Sequence, residues 1–288
     1  MAELLKGKDV ASAVMKRCSE TSAELKKKGI TPTLAILRVG ENESDLSYER
    51  GAEKRCEKAG VKVVKRVLPA DITDFVFYGI LDELNWDKNI HGILMFRPLP
   101  AYLDNERARC YINPAKDVDG CTDRSLGGIF TGKQIGFAPC TAEAVLETLD
   151  YYGIDPKGKN VTVIGRSLVI GKPVSMMLLN RNATVTICHT KTVDLPSVTR
   201  KADIVIAAAG QPEMLTKEYF REGQTVIDVG INWNEKKGKL CGDVLYEDAE
   251  PVVAKITPVP GGIGSVTTSV LVSHVVEAAK RTAEKADR

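Results

Sequence analysis

The sequence predicts an α/β protein built as two domains. Three observations carry this. Apolar, β-branched runs alternate with charged amphipathic stretches, the pattern of parallel strands joined by helical crossovers. The 288 residues, 43% hydrophobic and 27% charged, suffice for two modest cores. A glycine-rich, loop-like stretch at 112–140 separates one alternating series from another.

In the first series, "KDVASAVMKRCSETSAELKKKG" (8–29) reads as a helix closed by Gly29. "TPTLAILRVG" (31–40) is a buried strand, and "SDLSYERGAEKRCEKAG" (44–60) a charged amphipathic helix. "VKVVKRVLP" (61–69) is a strand. "FVFYGILDELN" (75–85) is a helix leading to "HGILMFRPLP" (91–100), a strand ended by prolines. The 112–140 loop is long enough to expect a functional role. "TAEAVLETLDYYG" (141–153) is a linking helix. The second series has strands at 160–165, 183–188, 202–210 and 225–230, then a rigid loop "ITPVPGGIGSVT" (256–267) and a last helix. The domains are expected at 1–145 and 146–266, with a helix from about 267 to 288 packing back on the first.

Composition excludes several classes. Lys+Arg number 40 against 38 Asp+Glu, so no basic surface for nucleic acid or membrane is expected. Aromatics at 6% argue against base stacking. No apolar stretch approaches the roughly 20 residues that span a bilayer. A soluble, cytoplasmic protein is expected. The seven cysteines are odd in number and irregular in spacing, with no C-x-x-C pair. They read as free thiols in a reducing compartment. His91, His189 and His274 are too scattered for a metal site.

The stretch "VIGRSLVIGKP" (163–173) is where a strand becomes a helix. Gly165 permits a sharp turn, and Pro173 suits a first helical turn. Free amides and the positive end of a helix dipole attract phosphate there. The spacing departs from G-x-G-x-x-G, so a simple βα turn and a dinucleotide cradle are both open on these residues alone. The next strand ends "TICHTKT" without the acid that NAD-selective sites use. Arg166 and Thr190 are candidates to face a 2′-phosphate, or are solvated surface residues.

"KDVDG" (116–120), "GRSLVIGKP" (165–173), "VIDVGIN" (226–232), "GDV" (242–244) and "TPVPGGIG" (257–264) resemble the methylenetetrahydrofolate dehydrogenase/cyclohydrolase family. The motifs come in order and cover nearly the whole chain. The resemblance implies an N-terminal folate-binding catalytic domain, a C-terminal Rossmann-like dinucleotide-binding domain, a cleft between them and a homodimer. It implies oxidation of methylenetetrahydrofolate with NADP, NAD being the alternative, and hydrolysis of the methenyl product. Tyr48 matches the tyrosine that packs on folate, and Asp119 the aspartate that bonds the pterin; these are the catalytic candidates. Pro258, Gly261 and Gly262 match the loop over folate and nicotinamide. Gly165, Arg166, Ser167 and Thr190 match cofactor-contacting positions, and Ile231 a residue near the nicotinamide.

The departures gather on the folate side. The family pattern S-x-x-Y-x-x-x-K reads here with Asp45 for the serine and Ala52 for the lysine. The strand V-Q-L-P-L-P reads "MFRPLP", so Phe96 stands for the catalytic glutamine and Arg97 for leucine. Ser265 replaces a proline. Alanine transfers no proton, and loss of a positioned acid/base typically costs about 10²–10⁴-fold. Hydride transfer depends mainly on alignment. Three readings follow: a dehydrogenase with weak or lost cyclohydrolase activity, a bifunctional enzyme with Arg97 as substitute, or a folate- or pterin-binding homologue of altered substrate.

Overall fold

The computed structural model describes residues 1–286; the last two positions of the expected final helix lie outside the described residues. In chain order the strands are β1 (Glu3–Leu4), β2 (Thr33–Val39), β3 (Lys62–Leu68), β4 (Gly92–Met95), β5 (Asn160–Ile164), β6 (Thr184–Cys188), β7 (Ile204–Ala207), β8 (Thr225–Asp228), β9 (Asn232–Asn234), β10 (Lys239–Cys241) and β11 (Lys255–Ile256). The α-helices are α1 (Gly7–Lys27), α2 (Glu43–Lys58), α3 (Asp74–Trp86), α4 (Asn105–Tyr111), α5 (Asp123–Thr131), α6 (Cys140–Tyr151), α7 (Gly171–Asn180), α8 (Leu195–Thr199), α9 (Tyr246–Ala249) and α10 (Gly264–Ala286). The fold is α/β, and the chain divides into two compact units.

One unit holds Ser12–Cys140 and the chain from Thr268 onward. Its sheet is parallel, in the order β3-β2-β4. β2 is central and buried along nearly its whole length, which explains its continuous apolar run. Leu37, Phe77, Leu81, Ile93 and Ile112 fill one core; full burial of such a side chain stabilises by about 1.5–3 kcal/mol. β4 stops at Met95 rather than running on to Pro100, which frees Phe96 and Arg97 from the ladder beyond one bond from the Phe96 N–H to the Leu37 carbonyl (2.9 Å).

The other unit holds Met1–Ala11 and Thr141–Thr267. Its six strands run parallel in the order β1-β11-β8-β7-β5-β6. β5 is first of the βαβ series and lies between β6 and β7, so the crossovers reverse direction there. Ligands bind at such switch points, outside the carboxyl ends of the strands. The core gathers Val205, Leu215, Phe220, Val226 and Ile256.

One expectation needs correction. The first eleven residues do not stay with the N-terminal domain, because β1 pairs with β11 and the Gly7 N–H bonds the Gly261 carbonyl at 2.8 Å. A two-residue strand carries too little periodicity to be read. The stretch 112–140 is loop-rich as expected, but it also holds a helix. α5 lies inside it, capped by the Thr122 hydroxyl accepting from the Ser125 N–H and ended by Gly132 in the left-handed region. Its glycines suggested a loop, yet Gly128 is a packing residue; a Cβ there would stand 2.6 Å from the Ile135 carbonyl oxygen.

Candidate functional site

In the unit containing β2, four segments converge around Tyr48. The phenol ring meets Phe96 edge to face, with centroids 5.9 Å apart and planes at 85°. Its hydroxyl hydrogen-bonds Thr268 of α10. Burial, with Cys140 and Asp119 nearby, pushes the phenol pKa well above its ordinary value. Tyr48 therefore stays protonated near neutrality. Ala52, one turn along the same helix face, is fully buried.

An ionic network with a buried Arg38–Glu49 pair and a solvent-exposed Lys65 sets α2 on the sheet. Glu49 accepts from Arg38 Nε at 3.0 Å and pairs with Lys65 Nζ at 2.8 Å, while Lys65 also reaches Glu53 at 2.6 Å. Breaking a buried pair of this kind costs about 3–5 kcal/mol. The network fixes the residue next to Tyr48, and hence the turn that carries it.

Asp119 is presented by a loop held on both sides. Asp117 is fully buried and accepts from the Cys121 N–H (3.0 Å), the Thr122 N–H (2.8 Å) and the Ser125 hydroxyl (2.6 Å). Lys116 donates to the carbonyls of Leu84 and Asp87, at 2.8 and 2.6 Å, and burial lowers its pKa to about 8. The Val118 carbonyl lies 2.8 Å from His274 Nδ1 and accepts from the Cys140 thiol at 3.2 Å. These bonds leave the Asp119 side chain partly open to solvent. Its nearest cation is Arg97, Nη2 to Oδ2 4.0 Å. Burial raises the Asp119 pKa to about 6, Arg97 opposing it.

In the other unit, the cradle lies after β5. Gly165 has φ +129°, and a Cβ there would come within 2.1 Å of the Ala208 carbonyl oxygen, the residue after β7. A Cβ on Gly171 would stand 2.3 Å from the Gly165 carbonyl oxygen. The turn thus packs backbone on backbone at the switch point. The Ser167 hydroxyl accepts from the Ile170 N–H at 3.2 Å, and α7 starts at Gly171 without a side-chain cap. In its first turn the Lys172 N–H donates to the Ser167 carbonyl at 3.0 Å, the Val174 N–H donates to the Ile170 carbonyl at 2.9 Å, and Pro173 has no N–H, so it is the close backbone approach at Gly165 and the positive end of the helix dipole that suit a dinucleotide pyrophosphate. Arg166 and Ser167 are exposed, as is Thr190 after β6. The two strand ends are joined by the Gly165 N–H donating to the Cys188 carbonyl at 2.9 Å, which brings Arg166 and Thr190 to one edge.

Ile231 follows β8 and is 59% exposed; a Cβ on Gly264 would stand 2.6 Å from its Cδ1. It therefore borders the loop carrying Pro258, Gly261 and Gly262. The Ser265 N–H donates to the Gly262 carbonyl at 3.0 Å, a bond that a proline there could not make.

Sequence reasoning gave no role to two acids that organise this end. Asp243, fully buried, accepts from the N–H groups of Ala209 (2.6 Å), Gly210 (3.1 Å) and Gln211 (2.9 Å) and from Asn232 Nδ2 (2.9 Å). Asp228 accepts from the N–H groups of Gly230, Asp243 and Val244, and burial pushes its pKa up to about 7. The signal was present: acids inside apolar motifs need several donors to be tolerated. Thr268 was missed because a hydroxyl on an apolar helix carries no such signal.

Comparison with known proteins finds a family match in each half of the chain. Residues 5–119 match the tetrahydrofolate dehydrogenase/cyclohydrolase catalytic domain, and residues 139–283 match the NAD(P)-binding domain of the same family. The bifunctional protein FolD of Clostridium botulinum (strain Langeland) is 49% identical over 281 residues, 98% of this chain and 99% of the relative. The crystal structure of the bifunctional FolD methylenetetrahydrofolate dehydrogenase/cyclohydrolase from Campylobacter jejuni superposes with a TM-score of 0.93 at 39% identity, covering 98% of this chain and 99% of that one. The Trypanosoma brucei enzyme, solved with NADP cofactor and inhibitor, gives 0.89 at 34% identity, covering 98% of each. An acid-bearing loop beside a tyrosine in one unit, and a backbone cradle at a switch point in the other, thus accompany likeness along nearly the entire chain, and the protein belongs to the tetrahydrofolate dehydrogenase/cyclohydrolase family.

Proposed function

We propose that this protein oxidises methylenetetrahydrofolate to methenyltetrahydrofolate with NADP, and that it hydrolyses the methenyl product weakly or not at all. The observation that carries the second half is local. The position one turn after Tyr48 is a fully buried alanine, and the ring against Tyr48 is Phe96. Neither of these two side chains transfers a proton or polarises a water.

Bound NADP supplies the hydride acceptor, and this chain supplies binding and alignment. A hydride leaves the one-carbon bridge with its electron pair, and the product is the methenyl cation. That step needs the reacting carbons in contact and correctly oriented, but no general base. Asp119, when ionised, accepts from the pterin ring amide and exocyclic amine. Tyr48 packs on the folate. Gly165 and Ser167, in the turn before α7, hold the pyrophosphate, and Arg166 with Thr190 receives the 2′-phosphate. Ile231, Pro258, Gly261 and Gly262 border the nicotinamide and the folate. Phe96 and Arg97 reshape the pterin side. The Clostridium botulinum relative is named bifunctional; of the two steps that name covers, hydrolysis is the one these residues weaken. The family resemblance also supports a cytoplasmic homodimer, which light scattering on the purified protein checks for oligomeric state.

The test of the hydrolytic half is the decay of methenyltetrahydrofolate absorbance with and without protein. The expected result is no clear excess over the uncatalysed rate at micromolar protein. The double variant Ala52→Lys with Phe96→Gln is expected to gain hydrolysis, by about 10²-fold or more if a positioned acid/base is restored. Clear catalysis by the unaltered protein would contradict this reading and transfer the role to Arg97.

A further inference from the structure

The loop that carries Asp119 is anchored at Lys116, Asp117 and Val118. None of those anchors neutralises the Asp119 carboxylate. The groups facing it are Arg97 from the segment after β4, Tyr48 from α2, Cys140 at the start of α6, and Asp117 and Cys121 from its own loop. Arg97 is the one permanent cation among them. Asp117 is a like charge that disfavours ionisation of Asp119. Arg97 Nη2 stands 4.0 Å from Asp119 Oδ2, beyond hydrogen-bond length. The guanidinium therefore acts on the carboxylate through its charge and does not consume the lone pairs that a pterin would use.

We propose that Arg97 is a positioning residue for the dehydrogenase: it keeps the Asp119 carboxylate charged without itself occupying the oxygens that receive the pterin. This rests on the reading of Asp119 as the pterin anchor. The family resemblance expects leucine at this position, and leucine cannot supply the charge. The exchange of Gln-Leu for Phe96-Arg97 thus has a second consequence besides losing a polar group. It supplies a cation beside a carboxylate whose pKa burial raises.

The side chains of Arg97 and Asp119 are 29% and 33% exposed, so solvent screens the pair and the lower end of the usual one-to-three-unit effect of a neighbouring cation applies. The direct experiment is a ¹³C NMR titration of the Asp119 carboxyl carbon in the folate-free protein, assigned with Asp119→Asn. The midpoint is expected to rise by about one pH unit in Arg97→Leu and to return toward the wild-type value in Arg97→Lys. An unchanged midpoint in Arg97→Leu overturns the proposal, whatever the enzyme's substrate. The second readout is the pH dependence of methylenetetrahydrofolate oxidation with NADP. The acid limb of kcat/KM for the folate is expected to move up with the midpoint in Arg97→Leu. KM for NADP should be nearly unchanged. A midpoint that moves while the acid limb stays leaves Arg97 acting on Asp119 but removes Asp119 from pterin binding. In that case the functional reading fails, not the electrostatic coupling. Should Arg97→Leu fold poorly, Arg97→Gln keeps polarity without charge and is expected to behave like the leucine variant; a wild-type midpoint in Arg97→Gln overturns the proposal.

Discussion

At the scale of single residues, the two proposed ligand corners make separate predictions. Asp119 is expected to act on folate alone. Charge-assisted bonds contribute about 1.5–3 kcal/mol each, so Asp119→Ala should weaken folate binding about 10- to 100-fold and leave NADP binding within a factor of two. Calorimetry with each ligand separates these; equal affinity for folate in wild type and variant contradicts the assignment. Arg166 offers a planar cationic fork suited to phosphate oxygens, and it stands exposed beside Thr190 with no acid at the end of β6. Arg166→Ala should weaken NADP by about 10-fold or more and NAD far less. Equal losses for the two cofactors would show that this corner does not read the 2′-phosphate. Both residues stand out as candidates in the sequence, because a motif surrounds each. Thr268 and the Arg38–Glu49–Lys65 network do not. Their partners lie far along the chain, and a polar residue gives no sign of which distant group satisfies it.

At the scale of elements, the loop carrying Asp119 and helix α10 are joined by His274. Its ring is buried, with Nδ1 2.8 Å from the Val118 carbonyl oxygen, and burial lowers its pKa to about 4. The unfolded chain protonates this histidine near 6.5, while the folded protein resists until about 4. Stability from this group is therefore complete above pH 6.5, falls as pH drops through the window, and levels off below 4; the full loss is at most ~3 kcal/mol. Asp119, whose pKa is raised, changes in the opposite direction over part of the same range. The difference between wild type and His274→Gln isolates the histidine. Urea denaturation at pH 7, 5.5 and 4 should show the variant losing less stability on acidification; parallel losses would contradict the buried, neutral imidazole. The main strands and helices were legible at this scale because their periodicities are long. α5 was hidden by its glycines, whose role is close packing. β1 was hidden because pairing across the sequence, not local propensity, makes it a strand.

At the scale of the whole molecule, two parallel sheets of different size give the two units distinct tasks. The smaller sheet sets Tyr48, Phe96, Arg97 and Asp119 around one point. The larger one brings the ends of β5, β6, β7 and β8 to one side, where Asp228 and Asp243 tie the loops together. The α/β class and the two-part organisation followed from alternating patterns. The six-strand order did not, since strand order depends on which edges meet. Among the described residues no helix is long and apolar enough to cross a membrane. The central claim is that the dehydrogenase step persists while the hydrolytic step does not. The measurement that tests it most directly mixes the purified protein with methylenetetrahydrofolate and NADP and follows reduced cofactor and methenyl product together. Equimolar formation of both, with methenyltetrahydrofolate lost only at its uncatalysed rate, is the predicted result. Failure to reduce NADP, or removal of the methenyl product in step with its formation, would contradict the account.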